Sequence, residues 1–266
     1  MTMDLHLDGS LVLVTASTGG IGKDIAASLA REGARVIVNG RTVETVDEAI
    51  DDLRTRVVGG RFERLVADNG TAEGTIETVS RFPEIDILVN NLGVYGAVDF
   101  FDITDDAWQR MFEVNVMSGV RLSRHYLAGM LSKNSGRLIF IASEAAVTPS
   151  AEMVHYSASK TMVLGVSRGI AELTKGTAVT SNAIVAGPTK TAGAVSFIGQ
   201  VYSGIPYAEA EAQFMGLGAA RGTSLIGRLI EPGEIGSFVA YVSSPLAAAI
   251  NGAALRIEGG IVRSVF

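Results

Sequence analysis

Short apolar runs rich in β-branched residues alternate with longer amphipathic stretches along most of this chain. That alternation limits the possible fold more than any other feature. The runs are residues 11–15, 35–38, 62–67, 85–90, 137–143, 179–185 and 254–258. Between them, residues 43–57, 71–81, 105–131 and 153–173 carry apolar side chains at helical spacing. Buried strands separated by helices build parallel βαβ units, and right-handed crossovers place the helices on both faces of the sheet. The expected fold is α/β: a single-domain Rossmann fold over residues 1–266, with a doubly wound, mainly parallel seven-stranded sheet.

Residues 191–230 break the alternation. Glycines at 193, 199, 204, 216, 218, 222 and 227 are mixed there with Phe197, Tyr202, Tyr207 and Phe214. A long irregular insert in a compact fold is usually functional, and a solvated loop has no need of so many large apolar groups. The segment is therefore expected to be a substrate lid.

Composition removes several classes of function. The 266 residues are 47% hydrophobic and carry a net charge of −6, so no basic field is available for nucleic acid or an anionic membrane. With no cysteine and three scattered histidines (His6, His125, His155), neither a thiolate nucleophile nor a metal site is expected. The start, MTMDLHLDGS, does not read as a secretory signal. No apolar run approaches the ~18 residues of a membrane span. The expectation is a soluble, cytoplasmic protein acting on a small molecule.

The first run leads into Thr15-Ala16-Ser17-Thr18-Gly19-Gly20-Ile21-Gly22 and then a helix-like stretch. A turn that meets a pyrophosphate needs glycine where backbone comes close, and free N–H groups at the helix start. Gly19, Gly20 and Gly22 meet that need, and Thr15, Ser17 and Thr18 add hydroxyls. Further on, the second run ends Val38-Asn39-Gly40-Arg41. An NAD site puts a carboxylate here for the ribose 2′-hydroxyl, whereas an NADP site offers a cation to the 2′-phosphate. Gly40 leaves the acidic place empty and Arg41 follows, so NADP(H) is expected, with NAD(H) second; the alternative for Arg41 is a solvated loop arginine.

A second informative stretch is His155-Tyr156-Ser157-Ala158-Ser159-Lys160. On a helix, Tyr156 and Lys160 are i and i+4 and share a face. An ammonium near a phenol favours the phenolate, which suits the tyrosine to proton transfer near neutral pH. Ser143 ends the strand before it and can bond the same substrate oxygen.

Taken together, these motifs resemble the short-chain dehydrogenase/reductase family over essentially the whole chain. Its T-G-x-x-x-G-x-G loop corresponds to Thr15–Gly22, with Ala16 in place of the first glycine. Its N-N-A-G corresponds to Asn90-Asn91-Leu92-Gly93, and its P-G segment to Ala186-Gly187-Pro188-Thr189-Lys190-Thr191. The resemblance implies a catalytic tetrad of Asn115, Ser143, Tyr156 and Lys160. It also implies cofactor contacts from Ser17, Thr18, Gly20, Ile21, Gly22, Arg41, Asp68, Asn91, Gly93, Tyr156, Lys160, Pro188, Thr189 and Thr191. The implied activity is hydride transfer between NADP(H) and a carbonyl or alcohol, with Tyr156 as acid or base. A 3-oxoacyl-thioester reductase is the alternative, and a non-catalytic NADP(H) sensor stands behind it. Glu144, Ala145, Val94, Tyr95, Met153 and the lid would line the substrate pocket. Glu144 departs from the small residues common at its position, and two readings stand: contact with a substrate hydroxyl or amine, or capping of a nearby helix. Family members are commonly homotetramers, so a homotetramer is expected, with a dimer second. The apolar tail 257–266 would pack on a neighbouring subunit or on its own.

Overall fold

The computed structural model describes residues 3–215 and 224–265. Seven parallel strands form one sheet: β1 (Leu11–Val14), β2 (Arg35–Gly40), β3 (Arg61–Val66), β4 (Ile87–Asn90), β5 (Gly136–Ser143), β6 (Val179–Ala186) and β7 (Ala254–Ile257). Their order is β3-β2-β1-β4-β5-β6-β7, the doubly wound Rossmann arrangement. Each strand lies within about two residues of its expected boundary.

The helices are α1 (Gly20–Arg31), α2 (Val43–Arg56), α3 (Ala72–Arg81), α4 (Asp105–Phe112), α5 (Ser118–Ser132), α6 (Val154–Leu173), α7 (Ala192–Val201), α8 (Tyr207–Met215) and α9 (Pro232–Ser243). Alternate strand residues point to opposite faces, and the core divides accordingly. Val12, Val14, Val36, Val38 and Ile139 pack with Ile25 and Leu29 of α1 and with Ile235 and Val239 of α9. Leu13, Ile37, Leu88, Leu138 and Phe140 point the other way, onto Leu122 and Tyr126 of α5 and Val163 of α6. Both faces of the sheet are covered, so the strands read as continuous apolar runs rather than as an alternating pattern.

Two expectations need correction. The stretch 105–131 is not one helix, because a π-helical segment, Glu113–Met117, separates α4 from α5 and carries Asn115. Such segments insert a residue into the helical repeat and often mark functional positions. The described part of 191–230 is likewise not irregular. It contains α7, capped by the Thr191 hydroxyl accepting from the Ala194 N–H, and α8. Ile198, Ala210, Met215 and Leu229 bury one another there with Ile261 from the tail. Residues 216–223 of the expected lid lie outside the described residues.

The tail folds on its own chain at Ile261 and Val262, while Val265 is 90% exposed. Among the described residues no helix is long and apolar enough to cross a membrane.

Candidate active site

The strand order reverses between β1 and β4, and ligands of open α/β sheets bind beyond the carboxyl ends of the strands at such a point. The glycine loop lies there. Ala16 adopts φ +51°, a left-handed conformation that disfavours a side chain. Its backbone is held from both sides: the Ala16 N–H donates to Asn39 Oδ1 at 3.1 Å, and its carbonyl accepts from Asn91 Nδ2 at 3.1 Å. Asn91 Nδ2 also donates to the Thr15 carbonyl at 2.9 Å. Thr15 Oγ1 in turn accepts the N–H groups of Asn91 and Leu92, both at 2.9 Å.

Asn39 is a site residue that the sequence reading passed over. It is 2% exposed, and its side chain ties the glycine loop, the end of β3 and Asn69 together. A polar residue ending an otherwise apolar strand was the available signal.

The loop presents a cradle that fits a dinucleotide. A Cβ on Gly22 would stand 2.5 Å from both the Ala16 carbonyl oxygen and Asn91 Nδ2, so only glycine lets helix α1 approach this closely. Helix α1 has no side-chain cap at Gly19 and no acidic residue in its first turn, leaving its positive end to an external anion.

Thr18, Arg41, Asp68 and Gly93 line one groove of about 1000 Å³, together with Thr42 and Thr45, which sequence reasoning did not single out. A Cβ on Gly40 would fall 2.5 Å from Thr18 Cγ2 and 2.9 Å from Val46 Cγ2. A side chain at position 40 is therefore crowded, and fits only if the Thr18 and Val46 side chains shift.

The groove continues into a cavity of about 330 Å³ lined by Gly20, Ile21, Gly22, Asn91, Tyr156 and Lys160, with Ser143 and Thr191 also at its wall. A smaller cavity of about 160 Å³ opens beside it. Ser143, Glu144 and Tyr156 meet Pro188, Thr189 and Phe214 there. Ile21, Met153 and Phe197 add apolar wall, and Tyr95 lies against Tyr156 edge to face at 6.2 Å. Tyr95 shares this cavity with Thr191, the N-cap of α7.

Ser17 and Asn115 are not at the cavity walls. The Ser17 hydroxyl is fully buried; it donates to the Val14 carbonyl at 2.7 Å and accepts the Asn39 N–H at 2.9 Å. Its hydroxyl joins the ends of β1 and β2 rather than facing the groove. Asn115 is 5% exposed. Its Oδ1 accepts the Val94 N–H at 2.7 Å, and its Nδ2 donates to the Val94 carbonyl and to Ser159 Oγ, each at 2.9 Å. The π-helical segment turns this side chain into the gap between α6 and the segment after β4.

Lys160 is buried, with Nζ donating to the Ile141 carbonyl at 2.8 Å. Burial disfavours its charged form and pulls its pKa down to about 8. Its Nζ lies 5.9 Å from the centre of the Tyr156 ring. A Cβ on Gly93 would stand 3.2 Å from the same Nζ, so glycine keeps that approach open. The Ser143 hydroxyl donates to Glu144 Oε2 at 2.6 Å and accepts the Ala145 N–H at 3.2 Å, capping the short turn Glu144–Ala146. Among the described residues no group of histidine, aspartate and glutamate has metal-ligand geometry.

Residues 10–198 match the short chain dehydrogenase family. The chain belongs to the short-chain dehydrogenase/reductase family. Within it, the chain is 54% identical to the oxidoreductase YvaG of Bacillus subtilis (strain 168), over 99% of this chain and 100% of that one. It is 32% identical to the 3-oxoacyl-[acyl-carrier-protein] reductase FabG of Vibrio cholerae, over 97% of this chain and 99% of the relative. Among solved structures, L-sorbose reductase from Gluconobacter frateurii, complexed with NADPH and L-sorbose, superposes with a TM-score of 0.91 at 28% identity. That match covers 99% of this chain and all of the other. As a member of this family, the chain is an oxidoreductase of carbonyl–alcohol chemistry that uses a nicotinamide cofactor.

Proposed function

We propose that this short-chain dehydrogenase/reductase is an NADP(H)-dependent carbonyl reductase in which Tyr156 passes the proton. The observation that carries the reading is the convergence of Tyr156, Lys160 and Ser143 on the cavity that the glycine loop also lines. The lack of an acid at Gly40, a position crowded by Thr18 and Val46, with Arg41 and Thr42 lining the same groove, supports the 2′-phosphate cofactor. The bound nicotinamide supplies the hydride to the carbonyl carbon in reduction and accepts it in oxidation.

The residues of this chain do the rest. Tyr156 gives its phenolic proton to the carbonyl oxygen, and Ser143 hydrogen-bonds and orients that oxygen. Lys160, one helical turn on, favours the phenolate that Tyr156 leaves behind and binds the nicotinamide ribose. Asn115 keeps its side chain on Val94 and Ser159, so the path that returns a proton to Lys160 runs along its backbone. Gly20, Ile21, Gly22 and Thr18 hold the pyrophosphate, with Asp68 at the adenine and Asn91 and Gly93 beside the ribose. Pro188, Thr189 and Thr191 flank the nicotinamide. Helices α7 and α8 act as the lid over the substrate, with Thr191 at the start of α7 lining the same cavity as Tyr95.

The apolar lining from Ile21, Met153, Phe197 and Phe214 suits a ketone or aldehyde with hydrophobic bulk. A 3-oxoacyl thioester is the second substrate reading, favoured by the similarity to the Vibrio cholerae reductase. The chain is read as cytoplasmic and as a homotetramer before a dimer. Met162 and Leu173 on α6, 47% and 65% exposed, support association with further copies, which sedimentation equilibrium measures.

The test is titration of the purified protein with NADPH and NADH, followed by NADPH oxidation against ketones, aldehydes and a β-ketoacyl thioester. Tight NADPH binding with turnover of one carbonyl class is the expected result. Binding of neither nucleotide would overturn the reading, and binding without any turnover would return the protein to a sensor.

A further inference from the structure

Glu144 occupies an unusual place. It follows Ser143 at the end of β5 and lines the 160 Å³ cavity that also holds Tyr156. It is the sole carboxylate among the described residues lining that cavity, whose other walls are largely apolar. The capping alternative for Glu144 does not fit the turn that begins here, because Ser143 itself is the cap.

The consequence lies in the proton of Ser143. A hydroxyl has one proton to donate, and here it goes to Glu144 Oε2 at 2.6 Å. For Ser143 to donate to a substrate carbonyl, that bond must open, and the carboxylate must take another donor or lose one. A hydroxyl on the carbon next to the carbonyl resolves the conflict. The two oxygens of an α-hydroxy ketone can stand at roughly 2.7 Å, close to the spacing of Ser143 Oγ and Glu144 Oε2. The substrate hydroxyl donates to Glu144 while the Ser143 hydroxyl turns to the carbonyl oxygen, and the number of hydrogen bonds is conserved. A plain ketone brings no such donor, so turning Ser143 to its carbonyl costs Glu144 the bond from Ser143 with nothing in exchange.

We propose that Glu144 is a specificity residue that selects carbonyl substrates bearing a hydroxyl on the adjacent carbon. The inference rests on the reductase reading above and adds the substrate class. It requires only that one carboxylate oxygen face Ser143, whatever else the carboxylate meets. A site built to bond a substrate hydroxyl discriminates strongly against the analogue that lacks it. With the donor going to a charged acceptor, the preference is expected at about ten- to a hundredfold in kcat/KM.

The test uses matched pairs that differ by one hydroxyl: 3-hydroxybutan-2-one against butan-2-one, and 2-hydroxycyclohexanone against cyclohexanone. Wild type, Glu144→Gln and Glu144→Ala are assayed for NADPH oxidation, and NADPH binding is titrated separately. The wild type is expected to favour both hydroxy ketones by at least about tenfold. Glu144→Ala should bring each pair to near equality, chiefly by slowing the hydroxy ketone, with NADPH affinity unchanged. Glu144→Gln keeps an acceptor oxygen and should retain part of the preference, a rescue that a merely structural role would not give. Equal turnover of both members of each pair by the wild type, or a preference that survives Glu144→Ala, would overturn the assignment while leaving the reductase reading intact. If the wild type binds NADPH but reduces none of these ketones, nor any carbonyl in the wider panel, both the reading and the assignment fail.

Discussion

Lys160 stands one helical turn beyond Tyr156 and holds its ammonium nitrogen 5.9 Å from the centre of that ring, while donating to the Ile141 carbonyl behind it. The lysine is buried, so the charge that would favour the tyrosine phenolate is kept at an energetic cost.

The pKa of Lys160, lowered to about 8, sets a pH dependence. The group is charged below that value and neutral above it. In reduction, kcat/KM is expected to fall as pH rises through about 8, and a pH profile with NADPH checks it. Stability moves the other way. Between about pH 8 and the ordinary lysine value the unfolded chain holds a proton that the folded chain has released, so this group's contribution to stability rises with pH across that window. Lys160→Met removes the burial penalty that is fully present below pH 8. After the loss of the Ile141 hydrogen bond, it should stabilise the protein at pH 7 by about 2 kcal/mol while abolishing turnover. Thermal melts and assays on the same preparation measure both effects.

Arg41→Ala is expected to weaken NADPH binding by about ten- to a hundredfold, the loss of a charge-assisted hydrogen bond. NADH binding should change little. Parallel fluorescence titrations separate the two, and equal weakening of both nucleotides would mean that Arg41 does not meet the 2′-phosphate.

Ala16→Gly should stabilise the fold, because residue 16 sits at φ +51° and its network with Asn39 and Asn91 uses only its backbone. Relief of left-handed strain, partly offset by the greater freedom of glycine in the unfolded chain, gives about 1 kcal/mol. A higher melting temperature with unchanged or tighter NADPH binding is the expected outcome.

The sheet was legible because strands buried on both faces leave uninterrupted apolar runs, and the expected strands match those found within about two residues. Asn115 could be named from its motif, but its π-helical setting could not, since the insertion shifts the helical phase only once and no residue type marks where. Helices α7 and α8 were hidden for another reason. Glycines within α7 and on either side of α8 suggested loop, and the apolar side chains of both helices bury against each other and Ile261 rather than along the sheet. Ser17 carries the hydroxyl expected of a phosphate loop, yet the register of β1 and β2 draws it inward onto Val14 and Asn39. The contact that crowds position 40 comes from Thr18 across the loop, which no local spacing reveals.

The central claim is that the Tyr156 hydroxyl carries the proton, while most of the cofactor affinity comes from the glycine loop and the groove beside it. Its most direct test is Tyr156→Phe, assayed for NADPH oxidation with the best carbonyl substrate and titrated with NADPH. Turnover reduced by at least about 10²-fold, the usual contribution of a positioned acid, with NADPH affinity retained, is the predicted result; undiminished turnover in that variant would contradict it.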